Sequence, residues 1–330
     1  MKIEDLLEQS EAFETHKTDH PGPSSQFSFH EETAQMITPP SLMGSVLLEQ
    51  TPWAFTQMCN KLGKAVYGKG SGKSLPAEYL AAMRPDLRAY VLNDHIRESE
   101  GSWLVRAYDN YARAVLSDRY ATIGNHELLV AVDQIIKQKS GSLPSVTLFR
   151  SSVTHDEMHL KILWKNVDTD DGPFGLGCYV GNSEIGSRRV TVQPLIQRHS
   201  CTNSIIVNTD MGGFETTHIG SRQAKVTLIM AKMVEALQGS ADLLDQFLQS
   251  YQDEIPNFDE VLGGLAAKYD WDEALTVAVA FGTEGSGTRA GLVNGVSYAA
   301  HALEGLSDDE RVSLEVIAGS LLGVPVHGEV

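Results

Sequence analysis

Residues 157–166 read Glu157-Met158-His159-Leu160-Lys161-Ile162-Leu163-Trp164-Lys165-Asn166, and residues 174–180 read Phe174-Gly175-Leu176-Gly177-Cys178-Tyr179-Val180. In both stretches apolar residues alternate with polar or small ones, which is typical of half-buried strands. Residues 145–152 alternate in the same way and come just before the first stretch. We therefore expect 145–152 and 157–166 to form a hairpin, 174–180 to add a third strand and 189–192 to add a fourth.

The sequence pattern is different on the N-terminal and the C-terminal side of these strands. Residues 103–108 and 111–116 are β-rich, and 125–137 has helical spacing behind Asn125, a fair N-cap residue. Helical spacing also covers much of 51–97 and dominates from 221 onward, in segments that include 225–237 and 241–251. The predicted fold class is α+β, an antiparallel β-sheet core with a helical N-terminal lead-in and an acidic C-terminal helical region.

Three parts follow from this pattern. Residues 1–40 contain the breaker cluster His20-Pro21-Gly22-Pro23 and close with Pro39-Pro40, so they are expected to form a flexible N-terminal arm. Residues 41–220 are expected to form the α+β core. Residues 221–330 are expected to form an acidic helical region packed on or beside that core.

Charge is distributed unevenly along the chain. The net charge of −17 divides into −5 for residues 1–100, +1 for residues 101–230 and −13 for residues 231–330. Acidity aids solubility and repels nucleic acid at long range, but a locally basic face can still bind it. The charge-balanced middle is therefore the part in which we expect the functional surface.

Several broad classes are disfavoured. No apolar run approaches the length of about 18 residues that spans a bilayer, and the start Met1-Lys2-Ile3-Glu4-Asp5 is unlike a signal peptide. The three cysteines have no CxxC spacing, which argues against a disulfide scaffold and against a zinc ribbon. We expect a cytoplasmic protein with no membrane contact.

The stretch 68–74 ends in Gly-Lys-Ser, as a phosphate-binding P-loop does. The first glycine of that motif is replaced by Tyr67, the preceding residues have helical spacing in place of a strand, and Pro76 would disturb the following helix. A flexible basic loop is the favoured interpretation, and whether Lys69–Lys73 contacts phosphate stays open.

The sequence contains few motifs that are typical of catalytic sites. The chain has neither a Gly-x-Ser-x-Gly elbow nor a His-Glu-x-x-His helix, and Cys178 and Cys201 fit buried structural cysteines better than nucleophiles. His155, Glu157 and His159 would share one face of a strand and could hold a metal, with His199 as a further ligand, or could be an exposed polar face. We expect no enzyme activity, no cofactor, no resident metal and no small-molecule substrate.

Arginine and aromatic residues alternate through the middle of the chain, as they do in proteins that bind single strands without sequence preference. The same residues also fit a core of aromatics with solvated arginines around it. The predicted nucleic-acid-binding set comprises Arg113, Arg119, Tyr120, Arg150, Lys161, Trp164, Arg188, Arg189 and Arg198.

Four blocks carry a resemblance to a known family: residues 112–120 around Ser117-Asp118-Arg119-Tyr120, 174–186 ending in Asn182-Ser183-Glu184-Ile185-Gly186, 193–203 ending in Cys201-Thr202-Asn203, and 288–298 with Arg289 and Asn294. They resemble the phage- and plasmid-borne family known as domain of unknown function 932, over residues 47–303. The resemblance makes Asn182, Cys201, Asn203, Arg289 and Asn294 structural motif residues. Ser204 departs from it, because the family usually has glycine there.

The resemblance implies a mobile-element setting in a bacterial or phage-infected cell, among replication, recombination and anti-defence genes. The predicted strands and helix are also loosely similar to the β-β-β-α core of single-strand annealing recombinases, a likeness of fold that transfers no residues. We expect a non-enzymatic protein that binds single-stranded DNA, with a homo-oligomer implied by that likeness. The alternatives are a protein–protein interaction module, either anti-defence or regulatory, and a metal-dependent enzyme.

Overall fold

The computed structural model describes residues 2–41, 44–67, 73–139, 146–199, 203–207 and 213–323. Its helices are α1 (Ile3–Glu14), α2 (Pro52–Tyr67), α3 (Ala77–Ala82), α4 (Pro85–Arg97), α5 (Asn125–Lys139), α6 (Arg222–Gln249), α7 (Phe258–Lys268), α8 (Glu273–Gly282), α9 (Arg289–Ala302) and α10 (Asp308–Ser320).

The strands form two sheets. They are β1 (Lys17–Pro23), β2 (Ser28–Phe29), β3 (Met36–Ile37), β4 (Leu47–Gln50), β5 (Ser102–Tyr108), β6 (Tyr111–Ser117), β7 (Thr147–Leu148), β8 (Ser152–Val153), β9 (Glu157–Thr169), β10 (Gly172–Ser183), β11 (Val190–Arg198), β12 (Ser204–Ile206) and β13 (Phe214–Thr216). The N-terminal sheet has the order β1-β5-β6-β4-β3-β2. The central sheet has the order β12-β11-β10-β9-β7, with β13 on β11 and β8 on β9. The predicted α+β class is confirmed.

The central sheet is built on the three long antiparallel strands β9, β10 and β11. Their register places Tyr179 between Lys161 and Gln193 on the neighbouring strands. The pairing of β9 with β10 shifts at Leu176 and Gly177, where a β-bulge interrupts the ladder. A Cβ atom on Gly177 would lie 1.8 Å from the carbonyl oxygen of Ile162, so only glycine allows the two strands to approach here.

One face of the central sheet carries the long helix α6. Val226, Ile229 and Met233 pack with Val180 and Val192 at one end of the sheet, and the alternation of the strands supplies these inward residues. The opposite face is covered by α10, whose Val312 packs with residues of β9, β10, β11 and β12. The sheet is thus buried on both faces, which explains why β10 is apolar or small at nearly every position.

The first 40 residues are not a flexible arm. Helix α1 buries Ile3 and Leu6 in the same core as α5, and β1 pairs with β5 along its whole length, from Lys17 to Pro23. The prolines of β1 are tolerated because β1 is an edge strand, where a missing N–H does not interrupt the ladder.

Two predicted elements have different boundaries. The strand predicted at 145–152 is replaced, within the described residues, by the short strands β7 and β8, because Arg150 between them has a φ of 43°, in the left-handed region that strands do not use. The helices predicted at 225–237 and 241–251 are one helix, α6, since Gly239 does not break it. Within the described residues, none of the helices combines the length and the apolar character that crossing a membrane requires.

Candidate nucleic-acid interface

The residues predicted to bind nucleic acid do not share one surface. Arg188 and Arg189 come just before β11, whereas Arg198 is its last residue. A strand of nine residues is about 30 Å long, so these arginines lie at opposite ends of the sheet. Arg119 lies on a third part of the molecule, in the exposed turn after β6.

Arg113 is buried in a cluster around Glu184. Its side chain is 1% exposed, and its guanidinium donates to Glu184 Oε2 at 2.8 Å and contacts Asp156 Oδ1 at 3.3 Å. Lys17 Nζ lies 2.7 Å from Glu184 Oε1, and Arg106 Nη2 lies 3.4 Å from Glu184 Oε2. The structure therefore removes Arg113 from the predicted interface, because a guanidinium enclosed by carboxylates cannot reach a phosphate.

The charge of Glu184 is set by this cluster. Burial by itself would raise the pKa of the carboxyl, but the adjacent Arg106, Lys17 and Arg113 outweigh burial and hold that pKa below its usual value. The backbone N–H of Asn125, at the start of α5, also donates to Glu184 Oε1 at 2.7 Å. The Asn-Ser-Glu block at the end of β10 thus supplies, in Glu184, an internal anion that joins the two sheets.

Lys161 is buried in a second cluster. It is 3% exposed, and its Nζ lies 2.6 Å from Glu315 Oε1 of α10. His301 Nε2 lies 2.9 Å from the same oxygen. Lys161 is removed from the predicted interface for the same reason as Arg113.

The arginines near α9 and α10 are engaged by those helices. Arg188 forms an ion pair with Asp309 and lies 3.0 Å from the hydroxyl of Tyr179. Arg150 is exposed but contacts His301. The predicted binding surface is therefore covered at these positions by the C-terminal helical region.

The remaining residues of the predicted nucleic-acid-binding set are only partly accessible to a ligand. Arg189 is exposed and only loosely paired, at 3.4 Å from Glu215. Arg198 is half-buried, with no partner for its Nε among the described residues, and the same holds for the indole nitrogen of Trp164. Tyr120 is half-buried, donates to the Ser183 carbonyl oxygen and stacks on His218, so one face of its ring is not free for a base.

Two of the blocks that carry the family resemblance meet in space. Asn203 Nδ2 donates to the carbonyl oxygen of Asn294 at 3.4 Å, and the hydroxyl of Ser297 donates to the carbonyl oxygen of Ser204. Arg289 bonds Asp253 and the carbonyl oxygen of Leu321. Cys201 lies outside the described residues.

The histidines predicted as possible metal ligands lie in different parts of the structure. His155 lies in the turn before β9 against the ring of Tyr108, and His199 contacts Asn166 at the far end of the sheet. Only His159 keeps the expected position beside Glu157 on one face of β9. Cys178 is no nucleophile, since burial raises the pKa of its thiol to about 12.

Helix α2 carries a basic surface whose residues are not among those predicted from the sequence to bind nucleic acid. Between Gln50 and Glu78 the chain has lysines at 61, 64, 69 and 73 and no acidic residue, although the whole chain is strongly acidic. Lys69 lies outside the described residues. Trp53, Gln57 and Lys61 recur every four residues and so share one side of α2, which faces the turn at Ile185. The net charge of residues 1–100 is negative and conceals this basic segment. The net charge of a shorter stretch of sequence reveals it.

Comparison with known proteins finds no matching family model, no matching curated protein and no matching solved structure. The resemblance to the phage and plasmid family therefore rests on the four sequence blocks.

Proposed function

We propose that this chain binds single-stranded DNA without sequence preference, and that Trp53, Lys61, Lys64 and Arg119 form its binding surface, called the α2 face below. The observation that carries the proposal is an acid-free helix, α2, whose Lys61 and Lys64 have no ion-pair partner among the described residues, together with the exposed Arg119, which follows Asp118, a carboxylate that acts on Lys61. Phosphate binding of this kind uses positive charge without a fixed geometry, as expected for binding that ignores sequence.

The cations of the α2 face have no close acidic partner in the part of the chain that the structure describes. Among the described residues, no carboxylate lies within ion-pair distance of Lys61, Lys64 or Arg119, in contrast to the paired Arg113 and Lys161. Burial and the neighbouring Lys64 lower the pKa of Lys61, and Asp118 offsets this only in part. A bound phosphate would supply the missing negative charge.

Trp53 provides the aromatic element. The residue is 40% exposed, and its Nε1 donates to the carbonyl oxygen of Ile185 at 3.1 Å, which holds the ring in one orientation. Stacking of a base on an aromatic side chain is worth about 1–3 kcal/mol and does not depend on which base it is. A ring fixed in advance loses little conformational entropy when a base stacks on it.

The fold is compatible with this proposal. Three long antiparallel strands, β9, β10 and β11, come before a long helix, α6, which packs across two of them, with the short strands β12 and β13 in between. This order resembles the β-β-β-α core of single-strand annealing proteins. The likeness concerns topology alone, and the residues of the α2 face are argued from their own charge and exposure.

The test is fluorescence anisotropy of a labelled single-stranded oligonucleotide at two salt concentrations. Three neutralised phosphates predict a slope of log affinity against log salt of about −2, so that binding weakens about 20-fold between about 50 and 200 mM salt. Lys61→Gln/Lys64→Gln is expected to reduce the slope to about −0.7.

The matched control is Lys232→Gln/Lys268→Gln, which removes the same charge from a half-buried and an exposed position far along the chain. It should leave the slope unchanged if the α2 face binds the strand. Equal losses in both double variants would show a net-charge effect and overturn the assignment of the face. Absence of binding to the unsubstituted chain at low salt would overturn DNA binding itself and favour the protein–protein alternative.

A further inference from the structure

Three potential metal ligands converge between the central sheet and α10. Glu157 and His159 lie two residues apart on β9 and therefore on the same face, and Asp309 lies in the first turn of α10. His159 Nε2 is 3.8 Å from Glu157 Oε2 and 3.4 Å from Asp309 Oδ1, and one donor atom from each residue lies within 4.8 Å of the others. Such spacings suit three atoms that share one small cation.

The residues behind these ligands hold them in place through hydrogen bonds. His159 is 4% exposed, and its Nδ1 lies 3.0 Å from the hydroxyl of Tyr179, so its Nε2 is directed at the two carboxylates. The hydroxyl of Ser187 donates to Glu157 and leaves the other carboxylate oxygen facing the histidine. A metal-bound histidine almost always has such a partner on its second nitrogen.

In this conformation the positive charge of Arg188 balances the negative charge of the two carboxylates. Its guanidinium contacts Asp309 and lies 3.3 Å from His159 Nδ1. The side chain is 20% exposed, whereas Lys161 on the same strand face is enclosed with Glu315. Its Nε is buried and has no hydrogen-bond partner among the described residues. Arg188 is therefore the group that can leave when another cation arrives.

We propose that Glu157, His159 and Asp309 bind a first-row divalent cation, for which Zn²⁺ and Mn²⁺ are the probes, in competition with Arg188. An imidazole with two carboxylates suits these ions better than Mg²⁺ or Ca²⁺, which prefer oxygen ligands alone. Three protein ligands leave coordination positions for water. The inference is independent of the proposed DNA binding, because none of the three residues belongs to the α2 face.

The test is isothermal titration of the full chain with ZnCl₂ and MnCl₂ after treatment with a chelator, without DNA. One site per chain is expected, with a rise in the thermal midpoint of unfolding. His159→Gln and Asp309→Asn should weaken binding at least tenfold. Arg188→Gln should tighten it several-fold, because the competing cation is gone.

The controls are His199→Gln and Asp308→Asn, which change a histidine and an acid outside the cluster and should leave affinity unchanged. Circular dichroism and urea unfolding show whether each variant is folded. Binding that His159→Gln and Asp309→Asn leave unaltered would overturn the site, as would no stoichiometric binding by either the unsubstituted chain or Arg188→Gln. Equal affinities of these two proteins would overturn the competition. None of these results bears on the anisotropy experiment.

Discussion

Asn182 joins three parts of the chain through its side-chain amide. Its Nδ2 donates to the carbonyl oxygen of Ile123 at 3.1 Å and to Asn125 Oδ1 at 2.7 Å, and its Oδ1 lies 2.9 Å from His218 Nε2. Because an amide oxygen only accepts, Nε2 of His218 carries the hydrogen. The ring of His218 also stacks on Tyr120, with the centroids 4.8 Å apart. Fully satisfied networks of this kind favour one arrangement of the core.

His218 makes stability depend on pH. Burial, with Lys225 and Arg106 nearby, lowers its pKa from 6.5 to about 4. As the pH falls the unfolded chain takes up the proton first, so the folded state loses stability between about pH 7 and pH 4, by roughly 3 kcal/mol. Urea unfolding across this range should show the loss, and His218→Gln should flatten the curve. The same slope in both proteins would contradict the assignment.

Helix α10 shows how closely one element is fitted to the sheet below it. Its start is defined by a capping box between Ser307 and Glu310, and its apolar side packs on two hydrophobic clusters. At Gly319 the helix touches the backbone of β12, since a Cβ atom there would lie 2.1 Å from the carbonyl oxygen of Ile206. The position of α10 brings Asp309 and Glu315 over the polar face of β9.

Gly319→Ala tests this fit at the scale of the element. The added methyl group has to displace backbone, and overpacking of this kind costs about 1–3 kcal/mol. Gly263→Ala is the matched control, because it lies within α7 with nothing within 4 Å of the added atom. Alanine is expected to stabilise that position by about 1 kcal/mol. Thermal unfolding should move in opposite directions for the two variants, and parallel shifts would contradict the close contact.

At the scale of the whole molecule, the ion cluster around Glu184 joins the central sheet to the N-terminal sheet. The glutamate follows β10 of the central sheet, and its cationic partners Lys17, Arg106 and Arg113 come from β1, β5 and β6 of the N-terminal sheet. The carboxylate is fully buried, as is the guanidinium of Arg113. The two sheets are therefore joined by charge as well as by apolar contacts.

Glu184→Gln removes the shared anion and leaves buried cations without it. Breaking a buried ion pair from one side costs about 3–5 kcal/mol, so the urea midpoint should fall strongly with little change in slope. Glu215→Gln is the control, since its ion pair with Arg189 is exposed and should contribute less than about 1 kcal/mol. Similar losses in the two variants would show that the cluster does not hold the sheets together.

The local elements could largely be predicted from the sequence. Alternation located β9 and β10, β-rich composition located β5 and β6, and the capping box located the start of α10, because these signals depend on neighbouring residues. The N-terminal prolines suggested a flexible arm, but pairing with β5 overrides that local tendency. Of the candidate site, the sequence located Arg119 and the pair Glu157 and His159. It did not locate Asp309 or the lysines of α2.

By itself, then, the sequence determined where β9, β10 and the start of α10 lie and which residues of β9 share a face, since these follow from local patterns along the chain. Only the tertiary structure decided which charges are free. Arg113 and Lys161 look like surface cations in the sequence, but Glu184 and Glu315 lie 71 and 154 residues away along the chain. Such partners meet through topology, which local periodicity does not encode, and burial then makes the pairing obligatory because an unpaired charge costs too much inside the protein.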